Sequence, residues 1–229
     1  MNTLSRTLRR AALIVVSAVA LSACGGLLGP SEAPPQIYVL HPPFGVVANA
    51  PSVQWQFGVT EPVAPDVFDS KRITLTLGQT MDYYAGSAWS DQAPDLLQGL
   101  LVEAFEKSGK IKAVGRNSAG VRADILVTTE IRDFSAHYEV KDGIPTIVVD
   151  IVAKLITATH HDVIATYDAR HEVKASVNSV PAVVAAFNEA TGQTISDIVS
   201  WSLTNATPRA SDALPPTTAA PVHRRRRHH

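Results

Sequence analysis

The chain has 229 residues, 45% of them hydrophobic, a formal charge of −1 and a single cysteine. That length gives one well-cored domain with tails, and a lone thiol excludes an internal disulfide framework. The near-neutral total hides an uneven distribution: residues 24–203 hold 12 basic and 20 acidic side chains, a net of −8, which excludes nucleic acid as an expected partner.

Arg6, Arg9 and Arg10 precede an apolar run from Ala11 to Ala20, and Leu21-Ser22-Ala23-Cys24 follows. A basic region, a short apolar stretch and small residues before a boundary make a secretory signal. The run is too short to cross a hydrocarbon layer of about 30 Å. Leu21 to Cys24 resembles the bacterial lipobox, so cleavage before Cys24 would leave acyl chains on a new N-terminus. The expected covalent group is therefore lipid on Cys24, with no other cofactor. Gly25 and Gly26 follow where an inner-membrane retention signal would carry aspartate; by lipoprotein sorting rules the destination is the outer membrane, facing the periplasm. The predicted layout is a signal over 1–23, a Gly- and Pro-rich tether over 24–35, a domain over 36–203 and a tail over 204–229. That tail is rich in Pro and Ala, predicts disorder, and carries the cluster Arg224 to Arg227.

Within the domain, Gln36 to Leu40 predicts a short strand. Val53, Trp55, Phe57 and Val59 alternate with polar or small residues and predict a second; Arg72 to Leu77 predicts a third. Asp82 to Ser90 reads as an aromatic loop before a helix. Leu97, Leu100, Leu101, Ala104 and Phe105 then share one helical stripe, with Ser90 or Asp91 as cap, Pro94 in the first turn and Gly109 past the end. Lys110 to Val114 predicts a further short strand. Residues 125–134, 147–155 and 163–170 alternate as three long strands, the last two joined by a hairpin at Thr159 to Asp162. From Ser179 to Leu203 an amphipathic stripe returns, and Gly192 predicts a weak point in that helix. The expected fold is α+β, a single domain with a mostly antiparallel sheet and two amphipathic helices packed on one face.

Candidate chemistry is sparse. His160, His161 and Asp162 suit a divalent metal by type, but neighbours on a strand point to opposite faces, so an exposed turn is expected and no metal site. No serine elbow, phosphate loop or dinucleotide fingerprint occurs, and Asp66 with Asp69, or Glu103 with Glu106, read as solvated charge. No catalytic residues are predicted. The segment Asp82-Tyr83-Tyr84-Ala85-Gly86-Ser87-Ala88-Trp89-Ser90 stands apart. Trp89 is expected in the core, and Tyr83 or Tyr84 on a partner-facing patch, because tyrosine is favoured as an interface anchor.

With the lipobox cysteine, Tyr38-Val39-Leu40, Pro42-Pro43, Asp69-Ser70-Lys71-Arg72-Ile73, the Tyr83-to-Trp89 box, Leu96 to Phe105 and a last helix ending Ile198-Val199-Ser200-Trp201-Ser202-Leu203, the sequence resembles the ABC-type transport auxiliary lipoprotein family. The Arg cluster lies outside the family pattern. The resemblance implies a non-catalytic subunit of a lipid-moving system, docking on the outer membrane with a mammalian-cell-entry domain protein that bridges from an ABC permease and ATPase. Phospholipid is the implied cargo, and the oligomeric state is left open. Two other classes are carried beside this one: a carrier with its own lipid cavity, and a general envelope-assembly lipoprotein.

Overall fold

A computed structural model of the chain describes residues 33–45, 49–117 and 122–207. From Pro35 onward these form one compact unit. In chain order they build β1 (Gln36–Tyr38), β2 (Gln56–Val59), β3 (Arg72–Leu77), β4 (Thr80–Trp89), α1 (Ala93–Ser108), β5 (Ala113–Arg116), β6 (Ile125–Tyr138), β7 (Thr146–Thr157), β8 (Val163–Lys174) and α2 (Val180–Asn205).

The sheet has eight strands and is mixed, which corrects the expected mostly antiparallel sheet. Four of its seven strand pairings are parallel: β1 with β4, β2 with β5, β2 with β6, and β3 with β6. The reason is the length of β6. Its first half runs beside β2, with Phe57 opposite Ile125, and its second half beside β3, with Leu77 opposite Tyr138. The sheet therefore forks along one edge of β6, while β7 and β8 add antiparallel on the other. Alternation in a sequence reports which face a side chain takes, not which way the neighbouring strand runs. The short strands β1, β2 and β3 each pair parallel with a strand that does not directly follow them in the chain.

The core lies between this sheet and the two helices, which also touch each other. Helix α1 begins after Gln92, not after Ser90 or Asp91, and ends at Gly109 in the left-handed conformation (φ 61°). Its Leu97, Leu101 and Phe105 are fully buried, and Phe105 meets Phe57 edge to face at 5.3 Å. Each such side chain contributes about 1.5–3 kcal/mol by leaving water. The buried Gln98 donates from Nε2 to the Val59 carbonyl at 3.1 Å, satisfying its amide where water is excluded. On the other side, Trp89, Phe134 and Phe187 form a closed aromatic triangle with centroids 4.9–6.0 Å apart.

Helix α2 runs unbroken through Gly192. The glycine there serves a close approach: a Cβ at that position would stand 2.3 Å from the Pro43 carbonyl oxygen. The strap Leu40–Gly45 crosses α2 on the ridge Asn188, Gly192, Ser196. His41 N–H donates to Asn188 Oδ1, and Gly45 N–H donates to Ser196 Oγ at 2.7 Å. A residue predicted as a helical weak point is thus a seat for the strap.

Candidate docking surface

The aromatic box is not a loop. It is β4, a strand with an irregularity that splits its side chains between two environments. Arg72 pairs with Ala88 but Thr74 with Tyr83, so β4 bulges over Tyr84 to Ser87. Gly86 supplies the left-handed turn (φ 63°) that such a bulge needs. Beyond the bulge Trp89 is 1% exposed, locked against Phe134 and Phe187. Tyr83 just before the bulge and Tyr84 at its start are both half-buried, and they do not act together. Tyr83 lies under the Arg72 guanidinium, 4.7 Å from ring centre.

Tyr84 packs with Tyr138 instead, their hydroxyls 2.8 Å apart. The Tyr138 hydroxyl donates to Asn178 Oδ1 at 2.8 Å, which leaves the Tyr84 proton to bridge the two phenols. Asn178 Nδ2 in turn donates to the Asp142 carbonyl at 3.1 Å. Burial, reinforced by the bond to Tyr138, drives the Tyr84 phenol well above its ordinary range, so it stays a neutral donor. This relay ties β4 to β6, to the β6–β7 loop and to the link before α2.

Those three connections meet at one end of the sheet, because Leu77 is level with Tyr138 and Thr146 with Lys174. Four apolar side chains at this end face water. Met81 is 47% exposed, Val140 65%, Ile144 45% and Val177 53%. Glu139, Lys141 and Asp142 interleave with them in the loop. Exposed apolar side chains at the same end as a rigid polar stitch are features of a protein-binding end. Sequence reading missed Tyr138, Val140, Ile144 and Val177. The available signal was the turn Val140-Lys141-Asp142-Gly143-Ile144-Pro145, whose Asp-Gly chemistry needs no flanking Val or Ile.

Other residues singled out in the sequence separate cleanly. Cys24 and the Arg224–Arg227 cluster lie outside the described residues. His160, His161 and Asp162 form the β7–β8 turn, with His161 in the left-handed region (φ 60°) and Asp162 N–H bound to Thr157 Oγ1 at 3.0 Å. His171 does not join them; its Nε2 contacts Asp197 Oδ2 of α2 at 2.7 Å. Among the described residues no three His, Cys, Asp or Glu side chains gather as metal ligands. Glu103 pairs with Lys107 on the surface of α1. Ser135, Asp133 and His137 do cluster, with Asp133 accepting from Ser135 at 2.6 Å and contacting His137 at 2.8 Å. Ser135 is fully buried and faces the aspartate rather than the imidazole, so no base activates it. Among the described residues no helix is long and apolar enough to cross a membrane.

A family model described as "ABC-type transport auxiliary lipoprotein component" matches residues 38–199. The chain belongs to that family. The matched span takes in the whole of β4, Tyr138 and Asn178, the residues that build the end just described. The crystal structure of a protein from Xanthomonas campestris aligns at 30% identity and TM-score 0.70, covering 75% of this chain and 96% of that one. A second solved structure, of an uncharacterized protein, aligns at 13% identity and TM-score 0.57, covering 73% of this chain and 97% of that one, and shows the fold alone. No curated protein matches the chain. As a member of this family, the protein is a non-catalytic auxiliary lipoprotein of an ABC-type transport system.

Proposed function

We propose that the chain is an outer-membrane docking subunit, acylated on Cys24 and facing the periplasm, whose apolar end receives a mammalian-cell-entry domain protein coupled to an ABC permease and ATPase that move phospholipid. The observation that carries this reading is the end itself. Met81, Val140, Ile144 and Val177 stay in water although the chain has a filled core elsewhere. Tyr84, tied to that end through Tyr138, is the proposed anchor, with Tyr83 beside it in the chain under Arg72. A carrier would instead need an enclosed apolar cavity of several hundred cubic ångströms, and the space between sheet and helices is occupied by Phe57, Phe105, Trp89, Phe134 and Phe187.

The tether fits this role. Twelve positions separate Cys24 from Gln36, a reach of at most about 40 Å when extended. Residues 36–203 are the unit that would hang from it. One acyl chain binds marginally and several bind stably, so Cys24→Ser should leave the protein uncleaved at the lipoprotein site and without acyl mass. The test of docking is capture of the mammalian-cell-entry protein by the full lipidated chain and by Tyr84→Ala. Truncating a central aromatic anchor commonly costs about 2 kcal/mol of binding, near thirtyfold in affinity. Undiminished capture by a folded Tyr84→Ala protein would overturn the assignment.

A further inference from the structure

Away from the docking end, the Pro42–Gly45 strap, the last turn of α1 and the second half of α2 enclose an open cleft of about 350 Å³. Its floor is apolar, from Ala104 and Val199, and Phe44 forms one wall. Its rim is cationic, from Lys107 and Lys110. We propose that this cleft binds one anionic amphiphile, the acid head held between Lys107 and Lys110 and the apolar part laid against the half-buried Phe44 ring, above Ala104 and Val199. The inference deepens the lipid-transport reading by giving this chain a ligand site of its own, distinct from the docking end.

The charge pattern supports an anion. Acidic residues outnumber basic ones 20 to 12 in residues 24–203, yet Lys107, Lys110, Lys112, Arg116 and Arg122 follow one another with no acid from Lys107 to Ala123. Lys110 has no ion-pair partner among the described residues. Lys107 holds Glu103 at 2.6 Å, but both side chains are about half exposed, and such a surface pair is weak enough for a better-placed anion to displace. The Lys107 ammonium also sits 5.1 Å from the centre of the Phe44 ring, which places a charge at the mouth and an aromatic wall beneath it.

The polar groups nearby narrow the ligand further. Ser108 Oγ donates to the Phe105 carbonyl and Ser196 Oγ to the Gly192 carbonyl, so neither hydroxyl proton is available to a neutral sugar or alcohol. Pro42 and Pro43 have no N–H, and the Gly45 N–H is committed to Ser196. The strap therefore cannot hydrogen-bond an incoming peptide strand along its length, which favours a lipid-like molecule over an acidic peptide. The volume is that of a small-ligand site.

The test uses the full lipidated chain in nanodiscs of neutral phosphatidylcholine, with empty nanodiscs as blank. Calorimetric titrations compare dihexanoyl phosphatidylglycerol, dihexanoyl phosphatidylcholine, inorganic phosphate and an acidic hexapeptide, the lipids below their micelle concentrations. The expected result is saturable phosphatidylglycerol binding, at least about tenfold tighter than the other three. Lys107→Glu/Lys110→Glu and the milder Lys107→Gln/Lys110→Gln should each weaken it by about tenfold or more with melting and partner capture unchanged. Equal binding of both lipids, phosphate or peptide binding as tight as phosphatidylglycerol, or unaffected lysine variants would overturn the site. Retained partner capture in the lysine variants separates that failure from failure of the docking reading.

Discussion

The two ends of β4 carry aromatic residues of the same short box and put them to opposite uses. Trp89 closes a buried triangle with Phe134 and Phe187, and its nearest strand partner is the short β1. Tyr84, five residues earlier, sits on a relay of side-chain hydrogen bonds at an end where apolar groups meet water. Between them lies a bulge made permissible by Gly86. One strand can therefore belong to the core at its finish and to a surface at its start, because a bulge breaks the alternation that would otherwise bind both to one pattern.

Trp89→Ala is the harshest way to break that contrast. Removing a buried aromatic costs about 3–5 kcal/mol of folding, and thermal melting should fall accordingly. A small loss would mean that Trp89 is not the core end of the strand. The same side of the molecule can be sharpened at Gly192. An added methyl would meet the Pro43 carbonyl, a backbone atom that cannot simply rotate away, and overpacking of this kind costs about 1–3 kcal/mol. Gly192→Ala should lower the melting temperature by more than Gly99→Ala, whose nearest neighbour is the flexible end of Arg116.

This contrast also marks what could be read from the chain. Both helices and the three long strands were legible, since Leu97 to Phe105, Val183 to Val199, Ile125 to Phe134, Ile147 to Leu155 and Val163 to Arg170 keep their period over several turns or pleats. β4 was not, because Gly86 and its bulge disrupt the period-two pattern and leave the box looking like a loop. Parallel pairing was not legible either: nothing in β2 or β3 records that both lie along β6. At the proposed docking end, Tyr83 and Tyr84 stood out alike by residue type, and Tyr84 is the one held by the relay. Its partners Tyr138 and Asn178 are 54 and 40 positions away from their respective contacts, a juxtaposition that only the topology creates.

A milder probe acts on the relay alone. Tyr84→Phe keeps the ring and deletes one hydroxyl bond, worth about 1 kcal/mol. Melting should drop slightly, and hydrogen exchange should quicken in the β6–β7 loop and the link before α2, with the Trp89 core unmoved. Equal loosening of both regions would show that they are one unit.

The smallest expected effect is one of pH, on the opposite face of the sheet. Asp150 accepts from Arg170 Nη1 at 3.0 Å, but one of its carboxylate oxygens is buried without a partner. Burial, aided by the neighbouring Asp168 carboxylate, outweighs Arg170 and raises its pKa. The folded protein thus holds this proton more tightly than the unfolded chain. The resulting stability is full below the ordinary carboxylate value and is lost as pH rises through the raised one. As pH falls through that window, the parent should gain stability relative to Asp150→Asn, measured by denaturant midpoints. A gap that widens in the other direction would contradict the assignment.

The most direct test of the docking end is Val140→Asp/Ile144→Asp. Both side chains stand in water, so their replacement leaves the core intact, and surface substitutions of this kind usually change stability by no more than about 0.5 kcal/mol each. The measurement is the affinity of the full lipidated chain for the mammalian-cell-entry protein, taken beside its melting temperature. The account predicts an unchanged melt with affinity reduced by at least about tenfold, as expected for charge placed in an apolar contact. An unchanged melt with undiminished affinity would contradict it.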